Sequence, residues 1–196
     1  MKKGTIILIV AAVVVVALFL WMKNTYNGMV NMREGVKAQW ANVENQYQRR
    51  SDLIPNLVNT VKGYASHESS TLEAVTEARS KATQTQVNFD RLDEQTLQQY
   101  NRAQGEVSSV LSRLMAISES YPDLKANQNF RDLQVQLEGT ENRISVERRK
   151  FNESAQSYNR YIMQFPRNLF ASMFGFRETP YFSAQEGAEQ APKVEF

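Results

Sequence analysis

Residues 6–21 read IILIVAAVVVVALFLW, from Ile6 to Trp21, with no charged residue, no glycine and no proline. With Thr5 and Met22 the run reaches about 17–20 residues, close to the shortest helix that spans a hydrocarbon core. Its β-branched valines and isoleucines are mediocre helix formers in water. In lipid, however, every backbone N–H and C=O must be paired within the segment, so only a helix is available at this length. Trp21 at the far edge suits the headgroup layer, and Lys23 can snorkel to it.

A cleaved secretory signal is the competing reading of such a run. It needs small residues in an A-x-A pattern behind the core, and residues 19–28, FLWMKNTYNG, contain none. The chain has no cysteine, so a lipid-modified N-terminal cysteine is not available either. The expectation is an uncleaved anchor over 6–22, preceded by a short basic stretch over 1–5. Lys2, Lys3 and the free amine lie before the span, and Lys23, Arg33 and Lys37 follow it over a longer stretch. Read on the immediate flanks, the positive-inside rule favours a cytoplasmic N-terminus with the body of the protein outside.

Composition narrows the rest. The chain has 196 residues, a net charge of +2, one histidine, 8 glycines and 5 prolines. The part beyond the anchor is long enough for one domain with its own core. Acids and bases are interspersed, without the basic, aromatic-studded stripe expected of a nucleic-acid binder. Glutamine, glutamate, arginine, alanine and leucine are abundant, which favours helix over sheet.

Outward from the anchor, apolar residues recur at steps of three and four, the period of helices packed on helices. Val36, Trp40, Val43 and Tyr47 form one stripe, and Ile54, Leu57, Val61 and Tyr64 continue it in phase. Pro55 falls inside, so the helix is either kinked or briefly broken there. A second helix is expected over 68–85, with Leu72, Val75, Ala78 and Ala82 inward, and a loop over 86–90. A third is expected over 93–119 with Leu97, Tyr100, Val107, Leu111 and Leu114 inward, ended by Tyr121-Pro122. A fourth is expected over 124–164, with Phe130, Leu133, Leu137, Ile144, Phe151, Tyr158 and Ile162 inward.

Beyond the span, the first and last helices are each about 40 residues, or roughly 60 Å at 1.5 Å per residue. Short connections make sequential helices antiparallel neighbours. The expected fold is all-α: an N-terminal transmembrane helix continuing into an antiparallel up-down-up-down four-helix bundle over 23–182. A disordered tail is expected over 183–196. Parity returns the fourth helix to the membrane. The segment 165–176, with Phe165, Leu169, Phe170, Phe174 and Phe176, then either touches the headgroup layer or only seals the base of the bundle.

Little in the chain suggests catalysis. His67-Glu68 lies at an expected turn, with no second histidine and no nucleophile tied to it. Glu77 stands four residues before Lys81, an ordinary exposed helix pair, and Glu73 and Glu77 supply too few ligands for a metal. No phosphate-cradling glycine motif occurs. No catalytic, cofactor-binding or metal-binding residue is therefore expected. The segment 49–58, RRSDLIPNLV, stands apart. Arg49 or Arg50 pairing with Asp52 would brace the break before Pro55. Alternatively Arg49, Arg50, Asp52, Pro55 and Asn56 present a docking surface.

That segment, together with Val61-Lys62-Gly63-Tyr64-Ala65-Ser66-His67-Glu68, resembles the signature of the LemA family. Tyr26-Asn27, Trp40 with Val43 and Gln46, Ala78-Arg79, Tyr158-Asn159, Phe165-Pro166, Asn168, Ala171 and Gly175-Phe176 fit it too. The resemblance covers about residues 26–182. It implies a bacterial membrane protein with one N-terminal span and an antiparallel helical bundle, and it brings no catalytic residues. The functional expectation is a non-enzymatic, membrane-anchored scaffold or adaptor of the cell envelope, contacting the bilayer and other membrane or envelope proteins. Its long stripes are also suited to self-association. The alternative is a sensor or signal-relay domain with Pro55 as the movable point.

Overall fold

The computed structural model describes residues 3–183. It is all-α, with no strand among the described residues. Six helices follow in order: α1 Lys3–Lys62, α2 Ser69–Gln84, α3 Glu94–Ile117, α4 Pro122–Ala126, α5 Gln128–Met163 and α6 Arg167–Phe174. Single 3-10 turns lie at Phe89–Arg91 and Ser118–Ser120.

As expected, the anchor runs on into the first helix of the body, and Pro55 lies inside that helix without breaking it. The other boundaries have local causes. Asp93 caps α3 with a reciprocal box, its carboxylate accepting the Thr96 amide while the Thr96 hydroxyl receives the Asp93 amide; both would otherwise be orphan donors. Tyr121-Pro122 ends the α3 segment as expected, and Pro122 then opens α4, where its missing N–H is harmless. The expected fourth helix is split at Asn127. Its backbone is extended, and its side-chain oxygen accepts the Phe130 amide to start α5. Gly175, at φ 77°, ends α6 in the left-handed region, and the Phe176 amide closes back on the Ala171 carbonyl.

Two compact units emerge. One comprises Met1–Ala38 with Glu153–Thr179, the other Gln39–Asn152 with Pro180–Phe196; the expected tail, beyond Ser183, lies outside the described residues. In the second unit α1, α2, α3, α4 and α5 contribute to one apolar core. It includes Ile54, Leu57, Val61, Val75, Leu114, Leu124, Phe130 and Leu137. Leu133 is only half-buried. Tyr64, expected inward, is 44% exposed and Ala65 is buried in its place. The helix has ended at Lys62, so the step after Val61 no longer follows helical phase. Trp40 stacks on Phe182, with ring centroids 5.8 Å apart, and meets Phe151 edge-on at 5.6 Å.

In the first unit Met29, Val36, Ala155, Tyr158, Ile162 and Ala171 are buried. Gly28 of α1 lies against the Tyr161 ring of α5, where a Cβ would collide with the phenol. The apolar run of α1 is bare: Ile7 is 68% and Leu8 72% exposed. α1 is the one helix among the described residues long and apolar enough to cross a membrane.

Candidate functional sites

Along α1 the core stripe reads Trp40, Val43, Tyr47, Arg50, Ile54, Leu57 and Val61. Arg50 fills the core position between Tyr47 and Ile54, and the residue is only 1% exposed. A buried charge is tolerated only when paired and fully hydrogen-bonded, and here it is. Arg50 Nη1 donates to Ser108 Oγ and to Glu141 Oε1, both at 2.7 Å. Nη2 donates to the Gln104 carbonyl at 3.0 Å and to Gln104 Oε1 at 2.6 Å. The plane also lies 5.0 Å from the centre of the Tyr47 ring. One side chain from α1 thus ties α3 and α5 together.

Pro55 has no N–H, so the Ser51 carbonyl one turn earlier has no helical donor. Arg79 of α2 supplies one, its Nε donating to Ser51 O at 2.8 Å. The expected Arg–Asp52 brace is not what the structure contains. Arg50 turns into the core, Asp52 accepts from Gln48 Nε2 at 2.7 Å, and the donor at the proline comes from another helix. Arg49, Asp52, Pro55 and Asn56 are all exposed. Arg50 is therefore the one member of the motif that enters the core, and the other four share the outer side of α1.

Beside this cluster lies an open cavity of about 160 Å³. Glu44, Tyr47, Ser51, Arg79, Tyr100 and Gln104 are among its lining residues. The Ser51 hydroxyl oxygen is buried with no hydrogen-bond partner. Burial raises the Glu44 carboxyl above its ordinary value. Burial likewise pushes the Tyr100 phenol far up, and the neighbouring Tyr47 phenol up. Both phenols stay neutral across ordinary pH. His67 is exposed, and Glu68 accepts from the Tyr121 hydroxyl at 3.1 Å. Among the described residues, no three metal-ligating side chains are gathered together.

In the first unit an aromatic corner stands where the apolar run ends. Trp21 meets Phe170 of α6 edge-on at 5.2 Å, and Tyr26 meets Phe174 at 5.1 Å and Phe176 at 5.7 Å. The segment beyond α6 is clamped by α5. The Tyr158 hydroxyl donates to the Arg177 carbonyl, and the Asn159 amide grips both the N–H and the C=O of Thr179. Phe170 and Phe176 are half-buried, whereas Phe165 is 81%, Leu169 61% and Phe174 43% exposed.

Sequence reasoning did not single out Arg79, Gln104, Ser108, Glu141 or Asn159 for these roles. Two signals bear on Arg50 and Arg79, and neither names Gln104, Ser108, Glu141 or Asn159. The vacant step between Tyr47 and Ile54 called for a core residue, and Pro55 called for a donor from elsewhere.

The profile described as LemA family matches residues 39–196, and the chain belongs to that family. It is 29% identical to magnetosome protein MamQ of Magnetospirillum gryphiswaldense, over 93% of this chain and 74% of that protein. It is 26% identical to magnetosome protein MamQ 2 of Paramagnetospirillum magneticum over the same shares. Protein LemA of Metamycoplasma hominis is 26% identical over 71% of this chain and 60% of its own length. The protein is thus a membrane-associated helical member of the LemA family.

Proposed function

We propose that this protein is a non-enzymatic scaffold or adaptor of the bacterial envelope, a four-helix up-down-up-down bundle held to the membrane by α1. The observation that carries this reading is the continuity of α1. One unbroken helix exposes its apolar residues 6–21 and, further along, supplies Trp40, Val43, Arg50, Ile54 and Leu57 to the core. Chemistry of a polar cluster that is buried and internally satisfied is structural, which fits a body that works by contact. Arg49, Asp52, Pro55 and Asn56 form the docking face, and self-association is a second use of the same surface. The aromatic corner sits at the headgroup layer on the side of the bundle. That side lies outside the cell, with the N-terminus in the cytoplasm.

Photocrosslinking from Asn56 of the full-length protein in its native membrane tests the docking face. Discrete adducts from Asn56, absent from a site on α5 such as Val135, are expected. Diffuse or identical labelling at both sites defeats the reading. A cysteine at Ser183, in this cysteine-free background, reports orientation through an impermeant maleimide added to intact cells.

The relay alternative draws on the same continuity of α1 through Pro55. It expects Pro55→Ala to change output in vivo while the protein stays folded.

A further inference from the structure

We propose that the aromatic corner recognises a bilayer surface rich in anionic phospholipid headgroups, with Lys23, Arg160, Arg167 and Arg177 as the recognising charges. This rests on the reading that the corner sits at the bilayer. Phe165, Leu169 and Met173 stand four residues apart and are 81%, 61% and 64% exposed. Leu169 and Met173 share the side of α6 away from its buried Ala171, and Phe165 stands in the turn just before that helix; together they make an apolar ridge. Such a ridge on a free surface calls for an occupant. The occupant argued for is lipid, because the other side of α6 is pinned by Phe170 to Trp21 at the end of the lipid-length run.

Charge around the ridge selects the headgroup. Along α1 the first acid beyond Trp21 is Glu34, about 20 Å further at 1.5 Å per residue. On α5 the last acid is Glu153, about 15 Å before the end of the helix. Within that reach lie Lys23, Arg33, Arg160, Arg167 and Arg177, against a single acid, Glu178; Arg33 stands at its far end, about 18 Å beyond Trp21. Arg167 is also pre-positioned. Its guanidinium lies 4.1 Å from the centre of the Tyr161 ring, and Nη1 donates to Gln164 Oε1 at 2.7 Å. An amphipathic ridge rimmed by cations is the pattern that binds anionic interfaces, with about a fivefold gain for each basic side chain close to the surface.

The test uses the full-length protein with Leu169→Cys, labelled with a polarity-sensitive dye and held by α1 in nanodiscs. One set contains phosphatidylcholine alone and the other adds phosphatidylglycerol. The expected result is blue-shifted emission in both, with the ratio of immersed to free label rising at least about fivefold with phosphatidylglycerol. The rise should vanish in 0.5 M salt, roughly the regime of a few-ångström screening length. It should also vanish in Arg160→Gln/Arg167→Gln/Arg177→Gln. If that variant misfolds by circular dichroism, the salt titration of the singly labelled protein still decides. Equal immersion in both lipids overturns headgroup recognition and leaves the membrane contact standing. Aqueous emission in both lipids overturns the membrane contact itself. A blue shift seen only with two copies per disc assigns the ridge to a second chain and overturns the proposal.

Discussion

Pro55 and Arg79 are coupled through one carbonyl oxygen. Arg79→Ala strands Ser51 O, and a lost or unsatisfied bond of this kind costs about 1 kcal/mol. Pro55→Ala returns a backbone N–H to the same oxygen, so Arg79→Ala should be nearly silent in that background. A double-mutant cycle by urea unfolding should therefore give a coupling of about 1 kcal/mol; additive effects would refute the link. Arg50 belongs to the same scale. Arg50→Ala leaves Gln104 and Ser108 short of a donor in the core and should cost about 3 kcal/mol. That is the low end for breaking a buried pair, since the Glu141 side chain is 41% exposed. Arg50→Lys keeps the charge but not the fork that serves four acceptors, so most of that loss should remain.

Between elements, α1 approaches α5 closely at Gly28. Helix propensity alone predicts that Gly28→Ala stabilises α1 by about 1 kcal/mol. The Tyr161 phenol predicts the opposite, because the new Cβ collides with it and overpacking costs about 1–3 kcal/mol. A fall in the thermal midpoint, partly recovered by Tyr161→Leu, is the expected outcome. The clamp on residues 177–179 is a second inter-element device. Asn159 is 3% exposed and pairs both backbone groups of Thr179. Asn159→Ala should cost about 2 kcal/mol and speed hydrogen exchange at the Thr179 amide before exchange rises in α5 itself.

For the whole molecule, stability should fall on the alkaline side. Burial raises both Tyr47 and Tyr100, and their rings meet edge-on at 5.5 Å. A raised phenol favours the fold fully below the unfolded value of about 10, and that contribution is lost as pH climbs above it. Unfolding free energy should thus decline from about pH 10 upward, and Tyr100→Phe should flatten the decline. An unchanged slope in Tyr100→Phe would assign it to other groups. At this scale the helical class, the apolar span and most inward residues were legible, because a three-four spacing of apolar residues has one packing solution. The split at Asn127 was not, since an extended asparagine between two helical stretches leaves no gap in the pattern.

Sequence by itself determined that the chain is helical, that residues 6–21 suit lipid, and that most residues of the stripes from Trp40 to Ile162, though not Tyr64 or Leu133, face inward. These follow from local spacing and from transfer of apolar surface out of water. Tertiary structure alone decided that Arg50 enters the core while Arg49 and Asp52 stay outside, that Arg79 serves the carbonyl Pro55 leaves bare, and that Phe170 meets Trp21. Each joins residues far apart in the chain. The partner of a buried donor is chosen by which helix packs opposite, and a linear pattern does not contain that choice.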